Sequence, residues 1–178
     1  MKILAFILCI LPGFAMANDW DALEAADSVA IMRHAYAPGT GDPSEFSLGD
    51  CSTQRNLDDR GREQARKLGA AFRERGIVFD QVLTSEWCRT RETAELLDVG
   101  PVIETPSLNS FFQSAATRDR QTEGTLELIA NRQGRLMLVT HQVNISALTG
   151  RGTRSGEVLV VRMSENIPEV IGSILIDP

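Results

Sequence analysis

The chain has 178 residues and a formal net charge of −6, with 43% hydrophobic and 24% charged residues. That size suits one domain around one core, and the mix excludes bulk disorder. A pI near 5.0 without a basic tract excludes a dedicated nucleic-acid binder, and two His and three Cys leave little to build a multi-ligand zinc site.

Met1-Lys2 precedes an apolar run, Ile3 to Leu11, then Pro12-Gly13 and Ala15-Met16-Ala17. A positive start, a short apolar centre and a small-residue A-x-A end are the layout of a secretory signal peptide. The expectation is a leader over residues 1–17, one domain over 18–178, and a periplasmic or secreted protein. No membrane span is expected, because the run falls short of the roughly 20 apolar residues a span needs. Cys9 leaves with the leader. Cys51 and Cys88 remain, and in an oxidising compartment they can form a disulfide. Two unpaired thiols are the alternative.

Ser28 to Met32 is a short β-leaning run that ends in Arg33-His34, followed by the loop Ala37-Pro38-Gly39-Thr40-Gly41-Asp42-Pro43. Asp58 to Arg75 reads as a helix with Ala65, Leu68, Gly69 and Phe72 on one face, an Asp cap and Gly76 at its end. Phe79 to Ser85 is a second strand, running into a helix over Glu86 to Leu97 with Ser85 as N-cap. Val102-Ile103 is a third short strand. Thr105 to Thr122 reads as irregular around Phe111-Phe112, and Leu126 to Ala130 as a helix ending near Gly134. Arg135 to Thr140 is the clearest buried strand, and it delivers His141 to a helix over Val143 to Leu148. Glu157 to Met163 and Val170 to Ile176 are two final strands, spaced for a hairpin.

Alternating strands and helices predict an α/β sandwich with a largely parallel sheet and an antiparallel edge. Both histidines then leave the carboxyl ends of strands, where open α/β sheets bind ligands. Arg33 stands beside His34, and Arg89 follows the second strand by one helical turn. Guanidinium groups repel a metal but fit phosphate oxygens bidentately. They also favour neutral imidazole, which can attack phosphorus. The pattern therefore suits a phosphoryl group better than a metal.

Four segments in order carry a family resemblance. They are Ile31-Met32-Arg33-His34-Ala35, Leu57 to Ala65 with Gly61 and Gln64-Ala65, Val82-Leu83-Thr84-Ser85 through Arg89 to Thr93-Ala94, and Leu138-Val139-Thr140-His141. Together they resemble the histidine phosphatase superfamily, with its phosphoglycerate mutase-like three-layer α/β/α fold. The resemblance implies hydrolysis of phosphomonoesters with neither metal nor organic cofactor, and with His34 as the nucleophile that becomes phosphorylated. It implies Arg33 and Arg89 as phosphate clamps and His141 as the partner completing the phosphate pocket. The implied substrate is a phosphorylated small molecule or a macromolecular phosphate, an envelope glycolipid among them. A non-catalytic phosphate-binding module and a phosphomutase are the alternatives; family mutases use larger caps than Thr105 to Thr122 offers.

The chain departs from the family pattern at the proton donor. Leu108-Asn109-Ser110-Phe111 lacks a Glu that some members carry, and Gln142 follows His141 where others have an acid. Glu157 is the candidate acid, at the start of the strand after the His141 helix. Glu86 is expected as an ordinary helix-N-terminal carboxylate. A third option is a leaving group acidic enough to depart without a donor. Arg55 is expected as an exposed loop arginine, with a further substrate contact as the alternative; Tyr36 and Phe111-Phe112 are expected as walls of the mouth, with hydrophobic packing as the alternative for the Phe pair.

Overall fold

The computed structural model describes residues 18–165 and 167–178. The expected leader, residues 1–17, and Asn166 of the expected terminal turn lie outside them. Six strands form one sheet: β1 (Ser28–Arg33), β2 (Gln81–Thr84), β3 (Val102–Glu104), β4 (Leu136–Thr140), β5 (Val158–Ser164) and β6 (Ile167–Ile174). Their order is β3-β2-β4-β1-β5-β6. The first four are parallel; β5 and β6 add an antiparallel edge.

Four helices cover the sheet: α1 (Asp59–Glu74), α2 (Cys88–Leu97), α3 (Arg118–Ala130) and α4 (Gln142–Thr149). Successive strand side chains point to opposite faces, and both faces are buried. Ala30, Met32, Met137 and Val139 meet Leu68, Phe72, Ala94 and Leu97 of α1 and α2. Val29, Ile31, Leu136 and Leu138 meet Ile129, Ile145 and Leu148 of α3 and α4. This is the three-layer α/β sandwich that the alternation of strands and helices predicts.

Several boundaries differ from the expected ones for local reasons. Helix α2 starts at Cys88, not Glu86. The Glu86 N–H donates to Asn109 Oδ1 and the Trp87 N–H to Ser85 Oγ, so both are spent before the helix begins. Helix α3 starts at Arg118, eight residues before the apolar stretch at Leu126 suggests. Its early turns bury polar residues, so they leave no apolar pattern: Gln121 Nε2 donates to the Asn109 carbonyl and Thr125 Oγ1 to that of Gln121. Strand β6 starts at Ile167 rather than Val170, pairing with Ser164 across a turn in which Glu165 has φ of 50°.

Candidate active site

Strands β1 and β4 are neighbours, and their last residues, Arg33 and Thr140, are register partners. The ladder continues one step further, with the His34 N–H donating to the Thr140 carbonyl at 3.0 Å. Both histidines are thereby carried onto the same rim, with ring centroids 5.6 Å apart. They line a cavity of about 210 Å³ that also takes in Arg33, Asp42, Arg55, Arg89, Phe112 and Gln142.

His34 is buried. Its Nδ1 lies 2.7 Å from the Ala35 carbonyl. A carbonyl only accepts, so Nδ1 carries the proton and a neutral ring keeps its lone pair on Nε2. Burial and then the Arg89 charge, with smaller effects from Arg55 and Arg33, hold the imidazole well below its usual pKa. His141 is shifted the same way, by burial and then by Arg89 and His34. Its Nε2 bonds Ser85 Oγ at 2.8 Å, while its Nδ1 is buried without a partner.

Arg33 reaches the Thr153 carbonyl through Nη1 at 3.0 Å, and its Nε is buried and unpartnered. Arg89 is buried, and its Nε is unpartnered as well. Buried polar groups are rarely left unpaired in a folded chain. Three such nitrogens belong to residues that line this one cavity, a donor set suited to an acceptor-rich anion.

The residues behind this rim explain the remaining motif positions. Gln64 Oε1 accepts from the Tyr36 N–H, and its Nε2 donates to the carbonyls of Ser155 and Ile176. Gly61 packs against Tyr36 so closely that a Cβ would lie 1.9 Å from the Tyr36 carbonyl oxygen. Thr93 Oγ1 accepts the Ala35 N–H at 3.1 Å. These contacts fix the backbone on the far side of His34.

Residues 29–112 match the family model of the histidine phosphatase superfamily (branch 1). Over that stretch, just under half of its length, the chain is similar to this superfamily. Among its relatives is the mitochondrial serine/threonine-protein phosphatase Pgam5 of Drosophila virilis, 42% identical over 74 residues. That stretch is 42% of this chain and 23% of the relative, so the match spans about a quarter of the fly protein. Solved histidine phosphatase structures share the fold. SixA of Agrobacterium tumefaciens aligns with a TM-score of 0.58 at 19% identity, over 84% of this chain and 97% of its own. A protein histidine phosphatase SixA complexed with tungstate aligns with a TM-score of 0.57 at 15% identity, over 83% of this chain and 96% of its own.

Of the site residues expected from sequence, the fold brings Arg33, His34, Arg89 and His141 together. It does not bring Glu157 to the cavity. The Glu157 carboxylate accepts from Ser173 Oγ at 2.8 Å and from the Arg154 N–H at 2.7 Å. Glu86 is also outside the cavity, held by Asn109 Nδ2. Arg55 is not an exposed loop residue. It lines the cavity, with Nε on the Gly41 carbonyl and Nη1 on that of Ala37. Burial, then Arg89, lower its pKa to about 10. Of the expected mouth residues, Phe112 lines the cavity and is 60% exposed, while Phe111 is buried beneath. Tyr36 turns away under the Arg60 guanidinium. Cys51 and Cys88 are bonded.

Asp42 escaped the sequence reading. It is the cavity's single carboxylate among the described residues, and it faces Arg89 bidentately, at 2.6 Å to Nη1 and 3.1 Å to Nη2. Nothing in the Gly- and Pro-rich loop distinguishes it from a turn-forming Asp.

Proposed function

We propose that the protein is a phosphatase that hydrolyses phosphomonoesters through a covalent phosphohistidine on His34, without a metal. The observation that carries this reading is His34, with Nδ1 on the Ala35 carbonyl and its pKa held low by burial, on one cavity with Arg33, Arg89 and His141, each of which has an unpartnered buried nitrogen. His34 Nε2 attacks phosphorus, the bond to the leaving-group oxygen breaks, and that oxygen departs with the electron pair. Water then attacks the phosphohistidine, the N–P bond breaks, and inorganic phosphate leaves with neutral imidazole restored.

Arg33 and Arg89 balance the charge that builds on the transferring group. A phosphate oxygen opposite His141 Nδ1 selects the tautomer with the proton there, because a bare lone pair would repel it. Ser85 then donates its hydroxyl proton to His141 Nε2. Three guanidiniums around the cavity oppose a cation in the same place.

Proton donation to the leaving group is the weak point. Glu157 and Glu86 are engaged elsewhere, and Asp42 is committed to Arg89. This supports phosphoryl donors that need no proton from the protein: aryl or acyl phosphates, whose oxyanions are stable, and phosphoramidates whose leaving nitrogen is already protonated. A neighbouring structure's designation as a protein histidine phosphatase fits the same class. The exposed Phe112 at the mouth leaves room for a phosphate carried by a larger molecule, including an envelope glycolipid. The signal-like composition of residues 1–17 and the Cys51–Cys88 bond support export to the periplasm or beyond.

The test is release of p-nitrophenol from p-nitrophenyl phosphate in the presence of a chelator. Wild type is expected to turn over, and His34→Ala to lose roughly ten-thousand-fold or more, as when a covalent nucleophile is removed. Acid quenching should trap phosphate on wild type and not on the variant. The absence of the proton donor favours one other reading, a phosphate-binding module. Phosphate binding with no turnover of any phosphoester would establish that instead.

A further inference from the structure

The loop over residues 37–57 reaches across the start of α2 and places one ionised group directly behind the phosphate site. The Asp42 side chain is 5% exposed, and each of its oxygens is engaged. Oδ1 accepts from Arg89 Nη1 at 2.6 Å and from the Arg55 N–H at 3.1 Å; Oδ2 accepts from Arg89 Nη2 and Trp87 Nε1, both at 3.1 Å. The Arg89 side chain is likewise nearly sealed from solvent, at 4% exposure. Its Nη1 also donates to the Arg55 carbonyl. The two terminal nitrogens of Arg89 therefore point at the loop, and Nε is the nitrogen left without a partner.

We propose that Asp42 is a positioning residue for phosphoryl transfer, acting through Arg89. It turns the guanidinium so that Nε, not the terminal fork, meets the phosphate, and it offsets one of the three positive charges around the cavity. The proposal rests on the phosphatase reading above and deepens it. An unrestrained Arg89 would present its fork and hold phosphate bidentately. That would bind the anion more tightly while moving phosphorus off the line of His34 Nε2. Misplacement of about 1 Å is enough to cost a reaction on the order of a hundredfold. Asp42 does not serve as the proton donor. Burial alone would raise its carboxyl, but the Arg89 hydrogen bonds and charge carry it below the usual carboxylate range.

The experiment is a double-mutant cycle on Asp42→Asn and Arg89→Ala, with p-nitrophenyl phosphate turnover and the Kd of inorganic phosphate as two readouts. In the wild-type background, Asp42→Asn should lower kcat about 10- to 100-fold. It should not raise KM, and it should tighten inorganic phosphate about tenfold, the worth of a charged hydrogen bond. In the Arg89→Ala background both effects should vanish, because a residue acting through another has nothing left to act on. A kcat within about twofold of wild type, a raised KM or additive losses in the cycle would overturn the proposal. Phosphate binding without any wild-type turnover would remove the phosphatase reading, and the Kd cycle would then decide the role of Asp42. Should Asp42→Asn not fold, Asp42→Ala carries the test in added formate. Formate should raise its kcat by filling the vacated donors; an unchanged kcat overturns the proposal.

Discussion

Two walls of the cavity are held by different means. Arg33, His34 and His141 sit where the chain leaves β1 and β4, and the parallel ladder fixes their backbones up to the His34–Thr140 hydrogen bond. Asp42 and Arg55 sit on the loop over residues 37–57, whose regular structure is one short 3-10 turn, Cys51–Thr53. That loop is held by side chains: the Cys51–Cys88 bond, the Cys88 N–H on Gln54 Oε1, the stack of Phe46 on Trp87 and the Asp42–Arg89 pair. The strand wall thus carries the groups proposed to react, on backbone held by the sheet's own hydrogen bonds. The loop wall orients and tempers charge, and its own order depends on contacts that can be removed one at a time.

The largest effect should come from the disulfide. It closes a loop across a separation of 37 residues, for which chain entropy gives about 4 kcal/mol of stability. The double variant Cys51→Ser/Cys88→Ser should lose up to that amount in urea unfolding. Hydrogen exchange should accelerate at the loop amides while those of β1 and β4 stay slow in the folded state. Equal acceleration in β1 and β4 would mean that the two walls are not separately held.

A smaller effect is expected at Arg55. Arg55→Ala removes the bonds to the Ala37 and Gly41 carbonyls, each charged hydrogen bond being worth about 1.5–3 kcal/mol. If Arg55 serves binding, KM for p-nitrophenyl phosphate should rise about tenfold with kcat nearly unchanged. A collapse of kcat at constant KM would give Arg55 the positioning role proposed for Asp42 and not a binding one.

The same division explains what the sequence discloses. The strand wall is local. A buried run ending in Arg33-His34 and another ending in Thr140-His141 announce their positions, since period and burial follow from neighbouring residues. The sheet, the two faces of its core and the four residues on the rim are legible for that reason. The loop wall is not. Asp42 acquires its meaning from Arg89, 47 residues away, and Arg55 from carbonyls 14 and 18 residues back. In sequence each is an ordinary loop residue. Glu157 failed in the opposite sense. It is at a strand start near the rim, but Ser173 on the adjoining β6 and the Arg154 N–H engage its carboxylate, and a hairpin expected from spacing says nothing about that. Long-range polar pairing is the part of the site that periodicity does not encode.

The last prediction separates the walls by pH. His34 and His141 both have folded-state pKa values well below the ordinary imidazole value near 6.5. As pH falls below about 6.5, the unfolded chain takes up protons that the folded chain does not, so stability declines, by at most about 1.4 kcal/mol per pH unit for each ring. Above that pH both states hold neutral rings and neither His contributes a slope. Asp42 has the other sign of charge but also a lowered folded pKa. Its contribution is present above the unfolded carboxyl value, about 3.9, and disappears only as pH falls below it through the lower folded value. Urea unfolding from about pH 7.5 down to about 4.5 should therefore show a decline for wild type. That decline should be reduced by His34→Gln/His141→Gln and kept by Asp42→Asn. A wild-type stability that is flat across this range would show that the histidines are not held neutral by burial. A decline removed by Asp42→Asn would show that the loop wall, not the strand wall, senses acid.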